Sequence, residues 1–401
     1  MSNVLFFNIP AHGHINPTLG LVDELIREGE NVAYFCTEEF KTKIEKTGAT
    51  FMSYTNFRRD EINRKKGTNI NDYLDFINKD IDKSQEIINE ILDKIKNLKF
   101  DYIIHSSMFP YANIIAQILK LPTVSSFAIF ATPKELMSKE GLSISEEQIK
   151  NHPMIKTYER VAHNLEETYN ITMPNLIDMY FNNGDINIAY TSKYFITNPK
   201  YYNDNFIFIG PPIYNRKENL DFPFEKLKDK KVIYISLGTV FNNTDNRLYD
   251  IFFKSFGGSD VVVVMAAYNV DLSSFDIPKN FIVRNYVPQS EILKYTDVAI
   301  THAGMNSTND LLYNNIPFVA IPIGADQPYM AKRASELGAA ISLDKDKLTP
   351  EILKNSVKKV LTDPSYINNI KKISSSFKLT GGYKKAVEEI SKLKKEKGIF
   401  A

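Results

Sequence analysis

The chain has 401 residues, 43% hydrophobic and 24% charged, with a net charge of +1. That composition fits a globular protein of two or three domains, and the charge balance gives no bulk attraction to nucleic acid. The one cysteine, Cys36, excludes an intrachain disulfide. A reducing, cytoplasmic setting is therefore expected.

The N-terminal apolar run is too short for a signal peptide and has no basic segment before it. No apolar run approaches the about 20 residues of a membrane span. Residues 4–9 read as a buried strand, and 10–16 as a loop carrying His12, Gly13 and His14. Pro17 suits the first turn of a helix whose face is Leu19, Val22, Leu25 and Ile26, stopped by Gly29. Strands at 32–36 and 50–54 flank a helix at 38–46, the alternation of an α/β domain. Residues 56–71 are polar and basic and read as a loop; 71–98 read as one long helix. A strand at 102–105, a helix at 110–119 and a strand at 123–127 follow. Residues 134–183 read as mostly helical, and strands at 186–190 and 206–209 close the first half. The Pro-, Asn- and charge-rich segment 211–230 reads as a linker. A second α/β set then runs through strands at 232–237, 261–265, 281–283, 298–301 and 318–321. In the tail, Tyr383, Val387, Ile390 and Leu393 share a face and six lysines crowd the rest. Such a helix reads as a surface helix, with membrane attachment as the alternative.

The most informative stretch runs from Asp297 to Gln327. An apolar strand leads through His302-Ala303-Gly304 to Asn306-Ser307-Thr308, which supply N-cap chemistry, and a helix is expected from Leu311. A second strand follows, with Asp326-Gln327 in the loop after it. A strand turning through small residues into a helix aims N–H groups and a dipole at an anion, so a phosphate site is the functional reading. An ordinary turn with Ser307 as a cap is the plain one.

The stretch resembles the donor-sugar signature of glycosyltransferase family 1, the inverting UDP-glycosyltransferases of GT-B fold. The match begins at Tyr286-Val287-Pro288-Gln289 and continues through His302, Gly304, Asn306-Ser307, Asp310 and Asp326-Gln327. The bacterial macrolide and flavonoid-glucosylating branch is the nearest resemblance, and it covers nearly the whole chain. It implies two Rossmann-like parallel-sheet domains facing each other across a cleft. Residues 1–210 would bind the acceptor, 231–382 the nucleotide sugar, and the helix in 383–401 would pack back on the first domain. It implies a UDP-sugar donor, with glucose the expected sugar, and a small acceptor, apolar or aromatic, used in natural-product glycosylation. No cofactor, metal, nucleic acid or membrane is implied.

The resemblance also distributes roles. His14, the second histidine of Ala11-His12-Gly13-His14-Ile15-Asn16-Pro17, would be the general base; a free imidazole, with its pKa near about 6.5, can accept a proton at neutral pH. The family places an aspartate after the strand at 102–105 to hold that base, and here the position is Ser106. A serine can hydrogen-bond an imidazole but cannot stabilise imidazolium by charge. In the serine-protease triad, losing the orienting carboxylate costs roughly 10⁴-fold. Ser107, or a carboxylate from elsewhere, is the alternative orienting group. On the donor side, His302, the N–H groups at Asn306-Ser307 and Thr239 would meet the diphosphate, with Gly238 and Gly304 allowing close approach. Tyr286 would stack on uracil, with Gln289 beside it. Asp310, in place of the usual glutamate, would meet the ribose hydroxyls, and Asp326 and Gln327 the sugar. Phe109, Tyr111, Phe127, Phe130 and Met137 would line the acceptor side, though core packing explains each equally.

Other motifs are weak. There is no G-x-G-x-x-G and no G-x-x-x-x-G-K-[ST]. Asp80-Ile81-Asp82 spells D-x-D, but on a helix the two carboxylates point about 200° apart, and a solvated surface is expected. Two rivals remain beside the transferase: a weakened UDP-sugar-binding protein or activator subunit, suggested by Ser106, and a UDP-sugar epimerase of the same fold.

Overall fold

The computed structural model describes residues 1–55, 70–130, 149, 151–214, 221–238, 245–324 and 326–399. It divides into two compact units: Met1–Tyr190 with Lys200–Pro212 and Gly382–Ala401, and Thr191–Pro199 with Ile213–Gly381. The basic loop expected at 56–71 lies almost wholly outside the described residues, as do Thr239, Met137 and residues 215–220 of the expected linker.

The first unit is built on seven strands: β1 Asn3–Phe7, β2 Asn31–Cys36, β3 Thr50–Ser53, β4 Tyr102–Ser106, β5 Thr123–Phe127, β6 Ile186–Ala189 and β7 Phe206–Phe208. They pair in parallel in the order β3-β2-β1-β4-β5-β6-β7. Strands covered on both faces must be apolar throughout, which is why Val4–Phe7 carries no polar residue. One face packs against the helices Ile70–Asp82, Ser84–Ile95 and Met154–Tyr169, where Ile81, Ile88 and Leu165 join Leu5, Phe7 and Ile103 in one core.

In the second unit, β8 Val232–Ser236, β9 Val262–Ala266, β10 Phe281–Arg284, β11 Val298–Thr301, β12 Phe318–Ala320 and β13 Ala340–Ser342 form a parallel sheet in the order β10-β9-β8-β11-β12-β13. Strand β13 was not expected; the small residues Gly338, Ala339 and Ala340 leave no continuous run of large apolar side chains there. In each sheet the first strand is third in the order, and the chain winds away from it in opposite directions. Loops leaving β1 and β4 diverge, as do those leaving β8 and β11, and such switch points open crevices at the carboxyl ends of the strands.

Several expectations are corrected. The first helix spans His12–Arg27, so His12, Gly13 and His14 lie on its first turn rather than in a loop, and Pro17 lies inside it. Ala11, extended at φ −142°, makes the turn without any side-chain cap, so no capping residue marked the start. The helix expected from Leu311 starts at Met305; Gly304 occupies the cap position, and Asn306-Ser307-Thr308 form its first turn. The long helix at 71–98 is two helices, Ile70–Asp82 and Ser84–Ile95. Near the break the Ser84 hydroxyl reaches the Asp80 carbonyl at 3.5 Å, and the Tyr111 O–H is shared between that carbonyl and the Asp80 carboxylate, both beside the helical ladder. Asp80 is not solvated surface: its carboxylate accepts from Tyr111 Oη at 2.8 Å and Tyr180 Oη at 3.0 Å. Asp82 points the other way, to Arg160.

The C-terminal helix Gly382–Glu396 packs on the helix His12–Arg27 through the apolar face read from the sequence. Tyr383 Oη donates to the Pro17 carbonyl at 2.8 Å, Lys394 pairs with Glu30, and both charged groups are nearly buried. Gly20 makes the approach possible, since a Cβ there would stand 2.2 Å from the Tyr383 ring. No helix among the described residues is long and apolar enough to cross a membrane.

Candidate active site

At the switch point of the first sheet, β1 hands on to His14 and β4 ends at Ser106. His14 Nδ1 lies 3.0 Å from Ser106 Oγ. Ser106 is buried and also accepts from the Met108 N–H at 3.3 Å, while His14 is only partly buried. Ser107 does not hold the base; its hydroxyl is buried without a hydrogen-bond partner. Beneath the first turn lies a polar network that sequence reasoning missed. Asn8 Nδ2 donates to the His14 carbonyl at 3.1 Å and to Tyr34 Oη at 2.7 Å, and Thr18 shares a 2.8 Å bond with that phenol. A lone asparagine ending an apolar strand was the signal. Burial raises the Tyr34 pKa well above its usual value, so the phenol stays neutral as a fixed dipole under the helix start.

The neighbouring histidines differ from His14. His12 sets its ring edge-on to Phe40, with centroids 5.0 Å apart. His105 is fully buried; burial pushes its pKa down to about 4, and its Nδ1 donates to the Ser106 carbonyl at 3.0 Å. It is neutral at pH 7. The expected acceptor-lining rings are packed in the core: Phe109 stacks on Phe7 at 5.1 Å and meets Tyr111 edge-on at 5.3 Å. Phe127 meets Phe206, and Phe130 is 2% exposed.

In the second unit, β11 ends at Thr301 and the chain turns through Ala303, which takes a left-handed φ of 63°. That conformation is uncommon outside glycine and marks a constrained turn. It sets the His302 ring between two glycines. A Cβ on Gly238 would stand 2.5 Å from His302 Nε2, and one on Gly304 2.3 Å from it. His302 Nδ1 faces the Ser236 carbonyl at 3.4 Å. A carbonyl only accepts, so Nδ1 carries the proton and Nε2 is an acceptor in the neutral ring. Burial pushes the pKa of His302 down to about 4, against the opposing pull of that carbonyl. The helix Met305–Tyr313 then opens with no side-chain cap, its first N–H groups oriented as an anion site would need.

Gln289 and Asp310 come together: Gln289 Nε2 donates to Asp310 Oδ2 at 2.7 Å, and Tyr234 Oη donates to Gln289 Oε1 at 3.1 Å. Asp310 is 9% exposed. Tyr286 lies just past β10 and is partly buried. Asp326 occupies the cap position of the helix Gln327–Glu336 without a side-chain capping bond, and Gln327 turns its side-chain carbonyl back to accept from the Ile323 and Gly324 N–H groups. Gln327 thus holds its own loop. Ser307 lies on the first turn beside Asn306, partly exposed.

The UDP-glucoronosyl and UDP-glucosyl transferase family model matches residues 133–379. An uncharacterized UDP-glucosyltransferase of Bacillus subtilis is 36% identical over 99% of this chain and 100% of its own length. A second from the same organism is 33% identical over 99% of this chain and 98% of its own. Among solved structures, the glycotransferase of kitacinnamycin superposes with a TM-score of 0.81 over 98% of both chains at 22% identity. That likeness in fold agrees with the expected GT-B pair of Rossmann-like sheets.

Proposed function

Because the chain belongs to the UDP-glucoronosyl and UDP-glucosyl transferase family and is a UDP-glycosyltransferase, we propose that it transfers glucose, with inversion, to a hydroxyl of a small apolar or aromatic acceptor. The observation that carries the mechanism is the pairing of His14 Nδ1 with Ser106 Oγ. With Ser106 accepting from Nδ1–H, Nε2 takes the proton of the acceptor hydroxyl. The acceptor oxygen forms its bond to the anomeric carbon while the bond from that carbon to the diphosphate oxygen breaks. The electron pair leaves with UDP. The partly buried setting of His14 leaves the ring reachable by a group that must exchange a proton with it in each cycle.

The donor reading rests on the first turn of Met305–Tyr313, the His302 ring packed between Gly238 and Gly304, and the Gln289–Asp310 pair. Asp310 would accept from the ribose hydroxyls, Tyr286 would stack on uracil, and Asp326 and Gln327 would meet the sugar. Glucose is favoured by the two Bacillus subtilis relatives, described as UDP-glucosyltransferases. A metal-independent reaction is favoured because the D-x-D carboxylates are engaged by Tyr111, Tyr180 and Arg160. A lone buried cysteine, Cys36, agrees with a cytoplasmic setting.

The test is incubation with UDP-glucose and a panel of phenols and alcohols, following UDP release and the anomeric configuration of the glycoside. A β-glycoside with stoichiometric UDP is expected from the α-linked donor. His14→Ala should lower kcat by about 10²-fold or more, the range for loss of a general base, while UDP affinity holds. A retained α configuration, an altered free sugar nucleotide, or a His14→Ala variant turning over like the parent would overturn the reading.

A further inference from the structure

We propose that Tyr234 is a positioning residue of the donor site, fixing the carboxylate of Asp310 through the amide of Gln289. The inference rests on the reading of Asp310 as the ribose contact.

Tyr234 sits mid-way along β8, an interior strand of its sheet, in register with Val264 on one side and Ala299 on the other. It is 4% exposed. Its neighbours Ile233 and Ile235 turn to the opposite face and join the apolar core. For packing alone, a phenylalanine would serve at 234 as well. What a tyrosine adds is the hydroxyl, and that hydroxyl is used.

The polarity of the chain of bonds is fixed from its far end. The Asp310 carboxylate only accepts, so the group of Gln289 that faces it at 2.7 Å is the amide nitrogen. The amide oxygen therefore faces Tyr234, and the phenol donates to it at 3.1 Å. Three elements distant in sequence are tied in one direction: strand β8, the turn of helix Gln289–Ile292, and the helix Met305–Tyr313. Without the hydroxyl, the amide oxygen loses its donor in a partly buried site. The amide can then rotate and set its oxygen against the carboxylate. That contact is repulsive, so Asp310 would meet the ribose in several orientations instead of one.

The experiment compares binding of UDP with that of 2′-deoxy-UDP, and kinetics with UDP-glucose, in the parent and in Tyr234→Phe. The parent should prefer UDP. Tyr234→Phe should shrink that preference by about 3- to 10-fold, the span of one ordinary hydrogen bond, raising KM with kcat little changed. In a Gln289→Leu background the same change should alter the preference no further. A packing role would weaken both ligands together and leave the ratio intact, and that result overturns the proposal. So does an equal effect of Tyr234→Phe with and without Gln289. If the parent binds both ligands alike, Asp310 does not read the ribose, and the reading beneath the proposal fails first. Should Tyr234→Phe fold poorly, Gln289→Leu alone must still shrink the preference; an undiminished ratio there is equally fatal.

Discussion

On the proposed reading of His14 as the base, replacing Ser106 by aspartate would supply the orienting carboxylate that the family resemblance implies. The serine oxygen stands 3.0 Å from His14 Nδ1, and the side chain is 1% exposed. A carboxylate there would face the imidazolium at about 4 Å between charge centres, worth about 4 kcal/mol at an effective dielectric near 20. Burying the carboxylate opposes this by several kcal/mol. The Met108 N–H, already donating to the serine oxygen at 3.3 Å, offers the new anion a second partner. The expected net effect is a His14 more basic by about 1–2 pKa units, or about 1.4–2.8 kcal/mol. Aliphatic alcohols, which need most help losing their proton, should gain about 10- to 100-fold in kcat/KM, and phenols less than about 3-fold. The acid limb of the pH–rate profile should move up by the same 1–2 units, roughly. Initial rates with matched phenol and alcohol acceptors across pH decide it. A parent enzyme equally fast on both classes, with no selective gain from Ser106→Asp, refutes the idea that the missing carboxylate limits the base.

Gly304→Ala places a methyl 2.3 Å from His302 Nε2 at a backbone φ of −62° that any residue tolerates. Overpacking should therefore cost about 1–3 kcal/mol by urea unfolding, and little in a His302→Ala background; an equal cost in both would sever the link to the ring. His105 makes the fold sensitive to acid. Its folded pKa, about 4, lies below the ordinary 6.5, so the unfolded chain binds more proton between those values and stability falls as pH drops through that window. The loss reaches about 3 kcal/mol at its lower end, and His105→Gln should flatten the fall between pH 6.5 and 4.5. An unchanged slope would mean that His105 is not held neutral.

The sheets were legible in the chain because strands covered on both faces leave continuous apolar runs, and β11 begins and ends where the pattern places it. Helix starts were not. The two that matter open at Ala11 and Gly304, neither of which offers a side-chain cap, and the rule for reading starts depends on such caps. Asp80 was misread because its sequence neighbours are lysines, while its partners Tyr111 and Tyr180 lie far along the chain. The Asn8–Thr18–Tyr34 network was missed for the same reason: Asn8 stands out after an apolar strand, but its partners Thr18 and Tyr34 lie apart from it in the sequence. Motif residues could be named, but whether Gln289 faces the donor or orients Asp310 is a matter of geometry alone.

Each unit places a histidine after an interior strand, but with a different hydrogen-bond partner. His14 is partly exposed and held by a hydroxyl. His302 is likewise partly buried, but its ring packs against Gly238 and Gly304, its Nδ1 faces a backbone carbonyl, and desolvation pushes its pKa down to about 4. A neutral His302 presents a lone pair at Nε2, which repels a phosphate oxygen. On the proposed reading, in which His302 meets the diphosphate, it must take up a proton as UDP arrives. Raising its pKa from about 4 to beyond 6.5 requires about 3.4 kcal/mol. One phosphate charge at about 4 Å supplies about 4 kcal/mol at an effective dielectric near 20. Between the free and bound pKa values the complex holds more protons than its parts, so UDP affinity should fall as pH rises through that range. Calorimetry at pH 6.0 in buffers of different ionisation enthalpy should count close to one proton taken up per UDP. His302→Asn should remove it, and the diphosphate's own titration cancels in the difference. Equal proton counts for parent and variant would leave His302 a packing residue between Gly238 and Gly304, with the charge of UDP met by the helix N-terminus instead.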